Sequence, residues 1–157
     1  PFQWHGNHGF VDAISLVRAP IADFDGLPSA VVGLNTSIDW IATQSPDVEQ
    51  IAGGNYELLV DIEFRHASQD NWQSLGTTAG SSGSVNFAAR CLGTDYHFRV
   101  RARAEQPDDE EGAWPNQRYP GPWSDEATIR FEIESGGVSP SPLPNNIFLP
   151  LVETGGC

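Results

Sequence analysis

Residues 92–104 read Leu-Gly-Thr-Asp-Tyr-His-Phe-Arg-Val-Arg-Ala-Arg-Ala, and their spacing decides the architecture. From Tyr96 onward the side chains alternate, with Tyr96, Phe98, Val100 and Ala102 on one side and His97, Arg99, Arg101 and Arg103 on the other. A period of two is the signature of a strand with one face in a core. A second stretch, residues 56–65, repeats it: Tyr56, Leu58, Val60, Ile62 and Phe64 oppose Glu57, Leu59, Asp61, Glu63 and Arg65.

Working outward, Thr36–Ala42 alternates with Ile38, Trp40 and Ala42 on one face and Ser37, Asp39 and Ile41 on the other. Ala30–Val32, Trp72–Leu75, Ser84–Ala88 and Ala127–Ile133 supply shorter strands, separated by turn signals such as Asp25-Gly26 and Ser45-Pro46. The tract GTTAGSSGS (76–84) reads as a flexible surface loop and residues 105–124 as a long acidic loop. No window shows helical spacing, and 16 glycines and 12 prolines punctuate the chain. About seven strands between residues 28 and 134 predict an all-β, antiparallel two-sheet sandwich.

The same residues resemble a fibronectin type III domain. Leu92 and Tyr96 are placed as in that family's tyrosine corner, Trp40 lies on the second strand, and Tyr56–Arg65 followed by Trp72 matches the third strand and its continuation. GPWSDEATIRF (121–131) is similar to the Gly-x-Trp-Ser lead-in to the last strand. The resemblance covers residues 28–134 and implies that the third and sixth strands are neighbours. Glu57, Asp61 and Glu63 would then face Arg99, Arg101 and Arg103, with Trp123 and Trp114 over the guanidinium planes. Such an ion-pair and cation–π face explains the arginines without an anionic ligand. Outside this span, GFVDAISLVR (9–18) is similar to the closing strand of galactose-binding-like modules, and IFLPLV (147–152) to the C-terminal ends of secreted proteins from filamentous green bacteria.

Composition narrows the function. The chain has 157 residues and a formal net charge of −13. All eight basic residues are arginine, a balance that argues against nucleic acid or anionic lipid as the main partner. No apolar run approaches the ~20 residues a membrane span needs, so membrane insertion is not expected. The sequence contains no methionine, which marks a processed chain or a piece of a longer one. No zinc-protease, phosphate-loop or dinucleotide motif occurs, and Gly80–Ser84 misses the nucleophile-elbow pattern at its fifth residue. The expectation is a non-enzymatic chain with no cofactor and no metal. Asp108, Asp109, Glu110 and Glu111 are the calcium candidate, but lack the alternating spacing of a calcium loop and read better as a solvated loop. His5 and His8 lack a third ligand.

Asn35-Thr36-Ser37 is the one N-glycosylation sequon, and the Ser/Thr tracts at 76–84 and 138–142 are O-glycan candidates. Cys91 and Cys157 are the two cysteines. A bond between them within one molecule is the leading reading, closing a loop of about 66 residues and restricting the unfolded state by ~4 kcal/mol; a bond between two molecules is the alternative.

Three regions result: an N-terminal arm with one strand (1–27), the sandwich (28–134), and a Pro/Ser linker with a C-terminal apolar strand (135–157). The arms carry Phe10, Val11, Ile14, Leu16 and Val17, and Ile147, Phe148, Leu149, Leu151 and Val152. Such apolar segments need cover, and strand addition to a sheet edge supplies it. Between molecules that contact runs head to tail and generates a filament. The expected function is therefore an exported, cell-surface or extracellular structural subunit of a fibre or layer, with other copies of the chain as partner and glycans where the sites are used. An accessory or carbohydrate-binding-associated module of a secreted carbohydrate-active protein is the alternative, as is a protein-binding adhesion domain.

Overall fold

The computed structural model describes residues 18–46, 56–105 and 118–133. Nine strands fill them: β1 (Ile21–Phe24), β2 (Ala30–Val32), β3 (Asn35–Thr43), β4 (Glu57–His66), β5 (Gln73–Ala79), β6 (Ser82–Ala88), β7 (Thr94–Glu105), β8 (Arg118–Pro120) and β9 (Ala127–Glu132). One sheet has the order β1-β3-β6, the other β2-β9-β7-β4-β5, with β8 added alongside β7. The pairings are antiparallel except β2 with β9, which is parallel. The expected all-β sandwich is what the chain forms.

The alternation places the core. Ile38, Trp40 and Ala42 of β3, Val60 and Ile62 of β4, Phe87 of β6, Tyr96, Phe98, Val100 and Ala102 of β7, and Ile129 and Phe131 of β9 are buried together between the sheets. Burying each large side chain contributes roughly 1.5–3 kcal/mol. Phe87 is the hub, with its ring meeting Phe64, Tyr96 and Phe98 edge-on at centroid distances of 4.9, 5.2 and 5.0 Å. The Tyr96 hydroxyl accepts hydrogen bonds from the backbone amides of Arg90 (3.1 Å) and Cys91 (3.2 Å). That contact pins the loop before β7 to the strand it introduces, whereas Leu92, expected at the same corner, is exposed.

Four readings of the sequence change. Residues 21–24, assigned to the arm, form β1: Ala22 is buried and all four residues pair with β3, so the sandwich starts before residue 28. The tract 76–84 is not a loop, because β5 runs through Ala79 and β6 starts at Ser82, leaving Gly80-Ser81 as the turn. Small polar residues hide a strand there, since its register comes from backbone pairing with β4 and β3. Within 105–124, Arg118–Pro120 forms β8 against Arg103–Glu105. Finally, β2 joins the sheet opposite to β1, a crossing of the chain that no local periodicity announces.

Candidate functional site

Among the described residues, the outer face of the β2-β9-β7-β4-β5 sheet carries the densest polar chemistry. In the ladder between β4 and β7, Asp61 lies opposite Arg101 and Glu63 opposite Arg99. The strand period of two then puts these four side chains, with Arg65 and Arg103, on the solvent side of the sheet. Arg99 donates to Glu63 Oε2 at 2.6 and 2.9 Å. Arg101 and Arg103 donate to the two oxygens of Asp61 at 3.1 and 3.2 Å, and Thr77 of β5 adds a hydroxyl at 2.8 Å. Arg103 also pairs with Glu105.

Asp61 is thus the junction of three strands. Burial pushes its carboxyl up, but the hydrogen bonds from Thr77, Arg101 and Arg103, with the charge of Arg103, outweigh this and hold its pKa below the usual carboxylate value.

Two indoles interleave with the cations. The Arg99 guanidinium lies between Trp72 and Trp123, 4.2 Å from each ring centroid; Arg101 covers Trp123 at 4.5 Å and Arg65 covers Trp72 at 5.1 Å. The stack therefore runs Arg65, Trp72, Arg99, Trp123, Arg101. Trp123 is held there by backbone: the amides of Gly121 and Ser124 donate to the carbonyls of Ala102 (2.8 Å) and Val100 (2.7 Å) on β7. Gly121 is required, since a Cβ there would sit 1.9 Å from the Pro20 carbonyl oxygen. At the far end Glu126 meets Arg65 at 2.9 Å and the His97 ring at 2.8 Å.

This arrangement brings together Arg99, Arg101, Arg103, Trp123, Asp61 and Glu63, all read from the sequence. Glu57 is different: it is exposed and lies opposite Glu105, while Arg103 lies opposite Leu59. Its expected pairing with the arginines does not occur because the register puts Glu57 beyond the last of them. The sequence reading missed the stacking of Trp72 and the roles of Arg65, Thr77, Glu105 and Glu126. Arg65 shares the parity of Glu63 along β4, which could have flagged it; Glu126 lies in a loop and carries no such signal.

No family model and no curated protein matches the chain. Among solved structures it is similar to the sensor domain of the anti-sigma factor RsgI4 in Pseudobacteroides cellulosolvens, with a TM-score of 0.46 and 12% identity over 80% of this chain and 89% of that one. It is also similar to murine CRIg, with a TM-score of 0.34 and 13% identity over 73% of this chain and 97% of that one. The strand arrangement itself, three strands facing a larger sheet with Tyr96 at its corner, is that of an immunoglobulin-like β-sandwich.

Asn35 is exposed at the start of β3, opposite Ala88. Cys91 follows β6, whereas Cys157 lies outside the described residues, and the expected disulfide with it. Also outside them are the arm residues 10–17 and 147–152, Asp108–Glu111, Trp114, His5 and His8. Among the described residues, no three His, Cys, Asp or Glu side chains group so as to hold a metal ion. Chemically, the Arg/Trp face joins cations to carboxylates and indoles across β4, β5, β7 and the lead-in to β9. It clamps the sheet.

Proposed function

We propose that the chain is an exported, non-enzymatic structural subunit of fibronectin type III character, which assembles head to tail into a fibre or layer at the cell surface by strand addition of its terminal arms. The observation that carries this reading is an unguarded sheet edge. The far side of β6 pairs with no strand among the described residues, and its sequence, Ser-Gly-Ser-Val-Asn-Phe-Ala, has neither charge nor proline. Edge strands of monomeric proteins usually carry one or the other. The self-paired Arg/Trp face supports the same reading from the other side, since its cations already have partners within the fold. The tyrosine corner and the position of Trp123 before the last strand support the fibronectin type III character. Negative-stain electron microscopy of the purified chain tests the proposal: ordered fibres or sheets are expected, and a monodisperse 17.0 kDa particle at every concentration would overturn it.

A further inference from the structure

We infer that β6 is the acceptor strand and that residues 10–17 of a second copy pair along its free edge, an inference that rests on the assembly reading above and names its site. The phase of the β3–β6 ladder shows which backbone groups are available. The Ala42 amide donates to the Ser81 carbonyl and the Ala89 amide to the Leu34 carbonyl, at 2.7 Å each, with regular pairing between. Alternation then turns the amides and carbonyls of Gly83, Val85 and Phe87 toward β3, and those of Ser82, Ser84, Asn86 and Ala88 outward. Seven residues of edge therefore present a regular row of donors and acceptors.

The other edges are poorer hosts. β1 has four residues, with Asp23 among them and Pro20 just before. β2 has three. β5 is broken by a register shift opposite Ile62 and Glu63. A strand laid beside β6 would also face something to fill: a cavity of about 480 Å3 whose walls include Phe64, His66, Phe87, Arg90, Cys91 and Tyr96.

The occupant follows from where the described chain begins. Residues 10–17 contain no proline, so every amide can enter a ladder, whereas Pro150 deprives 147–152 of one. In an extended strand Phe10, Asp12, Ile14 and Leu16 share one face. They present three large apolar groups to the cavity and a carboxylate to a wall that carries His66 and Arg90. The donor must come from another molecule. A strand outside β6 is three strand spacings, about 14 Å, from β1. Only three residue steps separate Val17 from Pro20, spanning ~10 Å at full extension. Pro20 itself is buried, with its carbonyl against Gly121 on the β7 side, away from β6. Val17 cannot sit beside its own β6, so a donor paired along the whole of 10–17 comes from a second copy.

Light scattering and hydrogen exchange on the full chain test this. The intact chain should scatter as multiples of 17.0 kDa. Asn86→Pro removes an outward amide without touching the β3 ladder, and Leu16→Asp spoils the donor; each should return the mass to that of one chain, with unchanged circular dichroism. In the intact assembly the amides of Ser84 and Asn86 should exchange at least about tenfold more slowly than in Leu16→Asp. Equal exchange overturns the inference even where Asn86→Pro fails to fold. Undiminished assembly in both variants overturns the β6 site while leaving assembly itself standing, as does assembly lost only on deleting 147–152. An intact chain that stays at the mass of one copy overturns both readings.

Discussion

The two sheets of this sandwich treat solvent in opposite ways. On the larger one, the outer face is bound across its strands: Asp61 ties β4 to β7 and β5, and Trp72 and Trp123 clasp Arg99 from both sides. On the smaller one, the outer face is lined by Ser37, Asp39 and Ser84, joined by hydroxyl contacts of 2.5–2.8 Å, with Ile21 and Ile41 about half exposed. From β3 to β6 only short polar contacts cross there, from Ser37 and the Asp39 carboxylate to Ser84, so β6 depends mainly on its ladder with β3 and on Val85 and Phe87 packing inward. One sheet is bound across its outer face by its own side chains; the other ends, among the described residues, at a β6 edge with no strand beside it. The difference teaches that stiffness and availability are segregated to opposite faces of one core, and substitutions on either side should separate them.

The largest effect is expected where the smaller sheet has no spare contacts. A Cβ at Gly83 would lie 2.5 Å from Cζ2 of Trp40, whose indole fills the core beneath β6. Gly83→Val should therefore cost about 3 kcal/mol, the upper end of overpacking costs, read by urea denaturation. If the loss were below about 0.5 kcal/mol, β6 would be able to lift without disturbing Trp40, and the contrast between the sheets would be deeper than stated.

Next comes the junction of the larger sheet. Asp61→Asn removes the charge that Arg101 and Arg103 share, and a loss of about 2 kcal/mol at neutral pH is expected for hydrogen bonds to a charged, half-buried group. The pH dependence has a definite sign. Because the folded protein holds the Asp61 pKa below the unfolded value, its contribution is complete above that unfolded value, near ~4. It falls away as pH drops through the lower folded value. Stability measured from pH 7 to 2 should decline less steeply in Asp61→Asn than in the parent. Parallel curves would mean that other carboxylates carry the acid sensitivity.

The contrast also bears on what a sequence discloses. β3, β4, β7 and β9 were legible because each has one greasy side, and so was Tyr96, whose hydroxyl must find a partner when its ring is buried. Arg99, Arg101, Asp61 and Glu63 followed from parity once the fibronectin type III resemblance set β4 beside β7. Glu57 shares that parity but not the pairing, because facing pairs depend on register, and register is set by the whole ladder rather than by any one residue. β5 and β6 were read only at their outer ends, 72–75 and 84–88: Gly76-Thr-Thr-Ala and Ser82-Gly carry no apolar alternation, so the strand character of those parts comes from the partners they pair with. β1 has one buried residue, Ala22, and the half-exposed Ile21, too little contrast to reveal a face.

Stacking should yield a smaller loss than the Asp61 junction. Trp123→Leu keeps apolar cover over β7 but removes the ring between Arg99 and Arg101, and about 1 kcal/mol should go with it. Trp72→Leu should cost somewhat less, because Arg65 lies farther from its ring at 5.1 Å. The reverse order, measured by thermal denaturation, would place the clamp at the β5 end of the face rather than before β9.

The smallest effect is expected at Arg130, which meets Asp95 at 3.1 Å across β9 and β7 but leaves its side chain 51% exposed. Both ends of this pair are solvated, so water and salt compete for each charge. Arg130→Ala should change stability by no more than about 0.5 kcal/mol, and 0.5 M salt should erase what difference there is. The pair sits on the same sheet as Asp61, likewise directly opposed across antiparallel strands and at a similar distance. It therefore isolates what the Trp72 and Trp123 cover adds. If Arg130→Ala proved as costly as Asp61→Asn, the indoles would not be what makes the inner ion pairs matter, and the stiffness of this face would come from charge pairing at large.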